Sequence, residues 1–190
     1  MLKQLRKEAR VVGIDDGPFV KGSKGSVLVV GVVYRGGQFM DAVLSTKAKI
    51  DGTNATERIA RMIQKCKYRP QLHAVFLNGV AVGGFNIINL EKLHKMIRLP
   101  VIVVVRNYPD FAKIKNALRV MGKPTRFKII ETLPKPTKVG KVYMQYTGTT
   151  LERAKELIKL TTTHSFIPEP IRIAHLIARG VVMGESRGRA

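Results

Sequence analysis

The first 50 residues alternate between apolar runs and glycine-rich turns. Residues 11–15 form an almost continuous apolar run that ends in an acid, which is typical of a buried strand. Residues 26–35 and 39–50 are rich in β-branched side chains and are separated by Gly36 and Gly37, which is the pattern of a β-hairpin. The sequence therefore predicts three strands, of which the second and third are paired.

Helical and strand patterns alternate in the rest of the chain. In the helix that follows Asn54, Ile59, Met62, Ile63 and Cys66 have the spacing of one buried face, so Cys66 is predicted to be an inert packing residue. Further strands are predicted at 72–77, 100–105 and 142–146, and further helices near 90–97, 111–121, 150–162 and 169–179. This order indicates one α/β domain over residues 1–190 with a mixed sheet and a short basic tail from about residue 180.

The charge of the chain indicates a polyanionic partner. Lys and Arg number 34 against 13 Asp and Glu, which gives a formal net charge of +21. Nucleic acid is the first candidate, because each neutralised phosphate releases condensed counterions. A basic surface without such a partner is the alternative. Six basic side chains between residues 123 and 141 are predicted to bind nucleic acid: Lys123, Arg126, Lys128, Lys135, Lys138 and Lys141.

Composition argues against several other classes of protein. No run approaches the ~20 apolar residues of a membrane span, and the N-terminus does not have the pattern of a secretory signal, so we expect a cytoplasmic protein that binds no membrane. One cysteine excludes an internal disulfide and a Cys-rich zinc site. The glycines at 79, 83 and 84 match neither common nucleotide-binding motif, and we interpret them as a tight strand-to-helix turn.

Candidate catalytic residues are few, and each has a structural alternative. Asp15 and Asp16 end the first strand, and their side chains point to opposite faces, so only one can share a site with neighbouring strands. A carboxylate at the end of a strand, beside a second acid on a neighbouring element, commonly holds Mg²⁺. The alternative is a simple turn, in which the carboxylates of Asp15 and Asp16 accept hydrogen bonds from local amides. The alternative for Glu57 is an ion pair with Arg61, and for His175 it is packing in the core.

Residues 142–178 resemble the C-terminal part of endonuclease V. They contain a strand, a glycine turn and a helix, followed by the run PEPIRIAH at residues 168–175. Residues 11–19 and 99–106 resemble two strands of the same family. The IDDGPF start, the GGFN turn and the ESRGRA tail are similar to an archaeal branch labelled endonuclease dU.

This resemblance implies a ribonuclease H-like fold, a mixed β-sheet flanked by helices, and a Mg²⁺- or Mn²⁺-dependent nuclease. It implies that Asp15 and Glu57 hold the metal and that Asn78 contributes a neutral oxygen. It also implies that His175 binds a second ion or positions the attacking water, and that Arg106 holds the scissile phosphate. The chain departs from the endonuclease V pattern at Asn78, where that family usually has an acid, and at Arg106, where it usually has a lysine.

We therefore expect an endonuclease that acts in repair on a damaged or deaminated base in DNA, or in RNA. The target base is expected to be flipped or unpaired. Residues 49–55 replace the proline-tyrosine wedge of endonuclease V, so the resemblance does not predict which base. Because Asn78 removes a charge from the implied metal site, two alternatives remain: a non-catalytic nucleic-acid-binding protein on the same scaffold, and a structural or regulatory subunit that docks an acidic partner.

Overall fold

A computed structural model of the protein describes residues 5–188, so the last two residues of the predicted basic tail lie outside the described part. Within it, nine strands and six helices follow one another. The strands are β1 Arg10–Asp16, β2 Ser26–Arg35, β3 Phe39–Lys49, β4 Leu72–Asn78, β5 Ala81–Val82, β6 Asn86–Ile87, β7 Val101–Val105, β8 Thr137–Val139 and β9 Val142–Thr147. The helices are α1 Ala55–Gln64, α2 Leu90–Ile97, α3 Phe111–Val120, α4 Phe127–Glu131, α5 Leu151–Thr161 and α6 Glu169–Met183.

Seven strands form one mixed sheet in the order β3-β2-β1-β4-β7-β9-β8. β1 pairs antiparallel with β2 and parallel with β4, and β4 pairs parallel with β7. β9 pairs antiparallel with both β7 and β8. Because β1, β4 and β7 are parallel, their carboxyl ends meet at one edge of the sheet, which we call the carboxyl edge. Asp15, Asn78 and Arg106 stand at or just beyond these strand ends.

Helices cover both faces of the sheet, and a hydrophobic core is buried on each face. α1 and α2 pack on one face, where Ile59, Ile63 and Leu93 are fully buried. α5 and α6 pack on the other face, which we call the α6 face, where Leu157 and Ala174 are buried. The mixed sheet flanked by helices agrees with the predicted architecture. Within residues 5–188 no helix has both the length and the apolar character needed to cross a membrane.

The predicted burial of Cys66 is confirmed. In the turn before α3 the side chain of Asp110 accepts a hydrogen bond from the backbone nitrogen of Lys113. Within α3, Leu118 is the one residue that is fully buried.

The segment between β4 and α2 differs from the simple turn that the sequence predicts. Its residues form a small antiparallel hairpin of β5 and β6, with Gly83 and Gly84 at positive φ in the turn. Strands of two residues contain too few positions to show a period of two, so hydrophobic patterning could not reveal them.

Candidate active site

Three polar side chains meet at the carboxyl edge. The buried carboxylate of Asp15 accepts hydrogen bonds at Oδ2 from Nδ2 of Asn78 at 3.0 Å and from Nδ1 of His175 at 2.7 Å. β1, β4 and α6 each supply one member. The structure thus brings together three of the residues that the sequence predicts for the site.

The bond to Asp15 fixes the orientation of the His175 ring. Since Nδ1 donates to the carboxylate, the lone pair of the neutral ring lies on Nε2. That nitrogen is buried and, within residues 5–188, has no hydrogen-bond partner. A buried imidazole nitrogen with an unused lone pair can accept a proton from water or bind a cation. This environment differs from that of a histidine that merely packs in the core.

Asp16 lies on the opposite face of the sheet from Asp15, as the alternation of strand residues predicts. Its Oδ2 accepts a hydrogen bond from the backbone nitrogen of Gly83 at 2.8 Å, which ties the β5–β6 hairpin to the end of β1. Burial, partly offset by this bond and assisted by the charge of Asp15, raises the pKa of Asp16 to about 6. The side chain of Asp16 therefore anchors the hairpin, whereas its backbone nitrogen donates to Oδ1 of Asp15 at 2.9 Å.

Glu57 is held by a different partner from the one expected. Its carboxylate pairs with Nζ of Lys92 on α2, whereas the sequence suggested Arg61. The bond to Lys92 lowers the pKa of Glu57. Its Oε2 is buried and has no hydrogen-bond partner in the described part of the chain. A cavity of about 130 Å³ adjoins this pair.

The cluster provides fewer metal ligands than the resemblance implies. Among residues 5–188 no three His, Cys, Asp or Glu side chains form a group that could hold a metal ion. Asn78 also directs its amide nitrogen, rather than an oxygen, toward Asp15. Mg²⁺ is nevertheless commonly held by one or two carboxylates together with waters and substrate phosphates. Of the three residues of the cluster, the Asp15 carboxylate is the ligand of that kind, whereas Nε2 of His175 points away from Asp15.

A cavity of about 600 Å³ lies beside the cluster on the α6 face. Its walls include His175 and two guanidinium groups, those of Arg106 and Arg172, together with the ring of Phe166. The predicted Arg106 therefore lines the same cavity as His175. Such a cationic wall suits an anionic ligand.

Buried Glu169 and partly exposed Arg172 form an ion pair that is not among the predicted site residues. Nε and Nη2 of Arg172 donate to the carboxylate of Glu169 at 2.7 to 3.1 Å, and Glu169 is 1% exposed. These bonds raise the pKa of Arg172. The two residues stand three positions apart at the start of α6, a spacing that could have indicated the pair. Phe166 lies in a loop, where periodicity gives no signal.

The predicted nucleic-acid-binding stretch divides into exposed and interior residues. Arg126 is 8% exposed, and its guanidinium donates to the backbone oxygens of Phe85 and Asp51. Lys123 is half-buried and also donates to the oxygen of Asp51. Arg126 thus belongs to the interior, which corrects its expected place on the basic surface. Four lysines of the stretch are exposed: Lys128, Lys135, Lys138 and Lys141.

The sequence of the chain matches a known protein family. The sequence model of the family Endonuclease dU matches residues 7–182. The chain belongs to the endonuclease dU family. A UPF0215 protein from Methanothermobacter thermautotrophicus is 44% identical over 193 residues, which covers 99% of this chain and 95% of that protein. A UPF0215 protein from Methanopyrus kandleri is 40% identical over 196 residues, covering 100% of this chain and 99% of that protein. The resemblance to this branch is confirmed.

Solved structures show the fold of this endonuclease dU family member. The crystal structure of a protein from Archaeoglobus fulgidus matches with a TM-score of 0.84 and 34% identity, over 91% of this chain and 97% of that chain. Endonuclease V of Ciona intestinalis, in complex with a 24mer DNA containing an inosine followed by a ribo-adenosine, matches with a TM-score of 0.60 and 17% identity, over 94% and 87% of the chains. This likeness confirms the endonuclease V-like, ribonuclease H-like fold.

Proposed function

We propose that the protein is a Mg²⁺- or Mn²⁺-dependent endonuclease that hydrolyses phosphodiester bonds at a damaged or deaminated base in DNA, or in RNA, as a step in repair. One observation carries the proposal: Asp15 orients His175 on the wall of a cationic cavity, and the buried Nε2 of His175 has no hydrogen-bond partner among residues 5–188. Membership of the endonuclease dU family and the fold shared with endonuclease V support it.

The residues of the cluster have separable roles in the hydrolysis. Asp15 holds the ring of His175 through Nδ1, so that Nε2 is able to accept the proton of the attacking water. Arg106 would bind the scissile phosphate, because an arginine stays protonated and cannot serve as a base near neutral pH. Asn78 fixes the direction of the Asp15 carboxylate through Nδ2.

A bound Mg²⁺ would supply positive charge where negative charge develops on the phosphate oxygens. Asp15 would hold it together with substrate oxygens and water. Glu57 would be able to join only after leaving Lys92, since that ammonium occupies its carboxylate. The exposed lysines of the basic stretch would contact the backbone on either side of the cleaved bond.

A nicking assay tests the proposal. Oligonucleotides that contain uracil, hypoxanthine, xanthine or an abasic site are incubated with Mg²⁺, with Mn²⁺ or with EDTA. We expect cleavage of at least one of them that needs the metal, and a loss of about a hundredfold or more in Asp15→Asn without loss of nucleic-acid affinity. Asp41→Asn is the matched control, because the side chains of Asp15 and Asp41 are 6% and 9% exposed and Asp41 pairs with Arg10 and Arg35. Equal activity of the two variants would exclude Asp15 from the site.

A second candidate function is nucleic-acid binding without cleavage. Two observations favour it: Asn78 places an amide where the resemblance to endonuclease V implies an acid, and Lys92 occupies the carboxylate of Glu57. Salt-sensitive binding without metal-dependent cleavage of any oligonucleotide would replace the endonuclease by this function. Absence of binding would instead favour a subunit that docks an acidic partner.

A further inference from the structure

The loop that joins α5 to α6 forms one wall of the cavity beside His175. Phe166 lies in this loop and is 52% exposed although it lines the cavity. Nζ of Lys141, from the turn between β8 and β9, lies 4.1 Å from the centre of its ring. The wall thus combines an aromatic ring with ammonium and guanidinium groups, which is the chemistry that single-stranded nucleic acid meets in its binding grooves.

Two hydrogen bonds hold the start of the loop. The hydroxyl of Thr163 donates to the backbone oxygen of Gly37, and the backbone nitrogen of His164 donates to Glu169. Glu169 also fixes the plane of the Arg172 guanidinium through Nε and Nη2. The guanidinium is therefore positioned before any ligand arrives, and the loop that carries Phe166 is tethered to Gly37 and Glu169, which reduces the entropy cost of binding.

We propose that this cavity binds one unpaired nucleotide, whose base stacks on Phe166 and whose phosphate is held by Arg172 with Lys141 at the rim. The volume of about 600 Å³ lies within the roughly 300–1,000 Å³ of small-ligand sites. Because His175 lines the same cavity, the nucleotide would lie next to the bond that is cleaved. The inference rests on the proposed function, and it names the place where an unpaired part of the substrate is held.

Tryptophan fluorescence measures the stacking directly. The chain contains no tryptophan, so Phe166→Trp introduces a single emitter into the cavity. Phe39→Trp is the matched control, because Phe39 is 54% exposed, has the Arg35 guanidinium 5.7 Å from its ring centre, and lies on β3 outside the cavity lining. Both variants are titrated in EDTA with single-stranded deoxy- and ribo-oligonucleotides, and with an oligomer of abasic residues that keeps the phosphates and lacks the bases.

We expect base-containing oligomers to quench the tryptophan emission of the Phe166→Trp variant and the abasic oligomer to quench it little. The emission of the Phe39→Trp variant should not be quenched by any of them. In fluorescence anisotropy, Phe166→Ala should bind single strands about tenfold more weakly, whereas Phe39→Ala should bind as the wild type does. Whichever of the deoxy- and ribo-oligonucleotides binds with the higher affinity identifies the sugar of the nucleotide that the cavity holds.

Two results together would overturn this inference and leave the proposed endonuclease intact. The Phe166→Trp variant would bind single-stranded oligomers tightly without quenching of its emission, and Phe166→Ala would bind them with the affinity of the wild type. Quenching without metal-dependent cleavage would support the nucleotide site and count against the endonuclease. Absence of binding to every oligonucleotide would overturn both.

Discussion

At the scale of single residues, Asn78 determines how much charge the Asp15 cluster carries. Nδ2 of Asn78 and Nδ1 of His175 both donate to the same oxygen of Asp15, at 3.0 and 2.7 Å. An acid at position 78 would replace one of these donors by a like charge at the same distance. Two carboxylates so close repel each other unless a cation lies between them.

We expect Asn78→Asp to bind Mg²⁺ more tightly and to be less stable than the wild type when the metal is absent. The carboxylate has nearly the shape of the amide, so packing should change little. In EDTA the melting temperature should fall by roughly 2–4 °C for each kcal/mol lost, and Mg²⁺ should restore it. Asn116→Asp adds the same charge at an exposed position of α3 and should show no such dependence on Mg²⁺. An unaltered response of Asn78→Asp to Mg²⁺ would place Asn78 outside any metal site.

Side-chain direction could be predicted at this scale, whereas side-chain partners far apart in the chain could not. The period of two along β1 separates Asp15 from Asp16, and the structure agrees. The partner of Glu57 depends on how α1 packs against α2, because Lys92 lies 35 positions away along the chain. Arg126 is buried because backbone oxygens accept its hydrogen bonds, and a sequence does not show where backbone oxygens converge.

At the scale of elements, a glycine in β1 sets the distance to α6. A Cβ added to Gly13 would lie 2.2 Å from the carbonyl carbon of Pro170 and 2.5 Å from the nitrogen of Ile171. Both are backbone atoms, which cannot move aside as the end of a flexible side chain can. Gly13 therefore allows the close approach in which His175 reaches Asp15.

We expect Gly13→Ala to displace α6, to lower the free energy of unfolding by about 1–3 kcal/mol and to reduce cleavage by separating His175 from Asp15. Gly180→Ala is the matched control in α6, since the nearest atom to its Cβ is the hydroxyl of Ser186 at 3.2 Å and alanine favours a helix over glycine. Urea denaturation measures both variants. A Gly13→Ala variant as stable as the wild type would show that the close approach of α6 to β1 does not depend on this glycine.

The elements themselves follow from the sequence when they are long enough to show a period. The apolar runs of β4 and β7 and the amphipathic spacing of α1 are sufficient to place them. The β5–β6 hairpin is too short for this. The cavity also could not be predicted, because its walls come from segments far apart in the chain, among them Arg106 after β7 and Phe166 in the loop before α6.

At the scale of the whole molecule, the arrangement of strands determines where part of the +21 charge stands relative to the cluster. Val105, the last residue of β7, pairs with Tyr143 near the start of β9, so the turn between β8 and β9 lies at the carboxyl edge. Lys138 and Lys141 are exposed beside this turn, and Lys141 reaches Phe166. Phosphates that approach the cluster would therefore meet these two lysines.

We expect the double variant Lys138→Gln, Lys141→Gln to depend less on salt than the wild type when it binds duplex DNA. Each neutralised phosphate contributes about 0.9 to the slope of log K against log salt, so the slope should become shallower by about 2 if both lysines contact phosphates. Lys65→Gln, Lys67→Gln removes the same charge from exposed residues just before β4 begins, at the opposite edge of the sheet, and should leave the slope nearly unchanged. Because both variants lose two charges, a general attraction by net charge would affect them equally. Equal decreases would show that the total charge, rather than its placement at the carboxyl edge, governs binding.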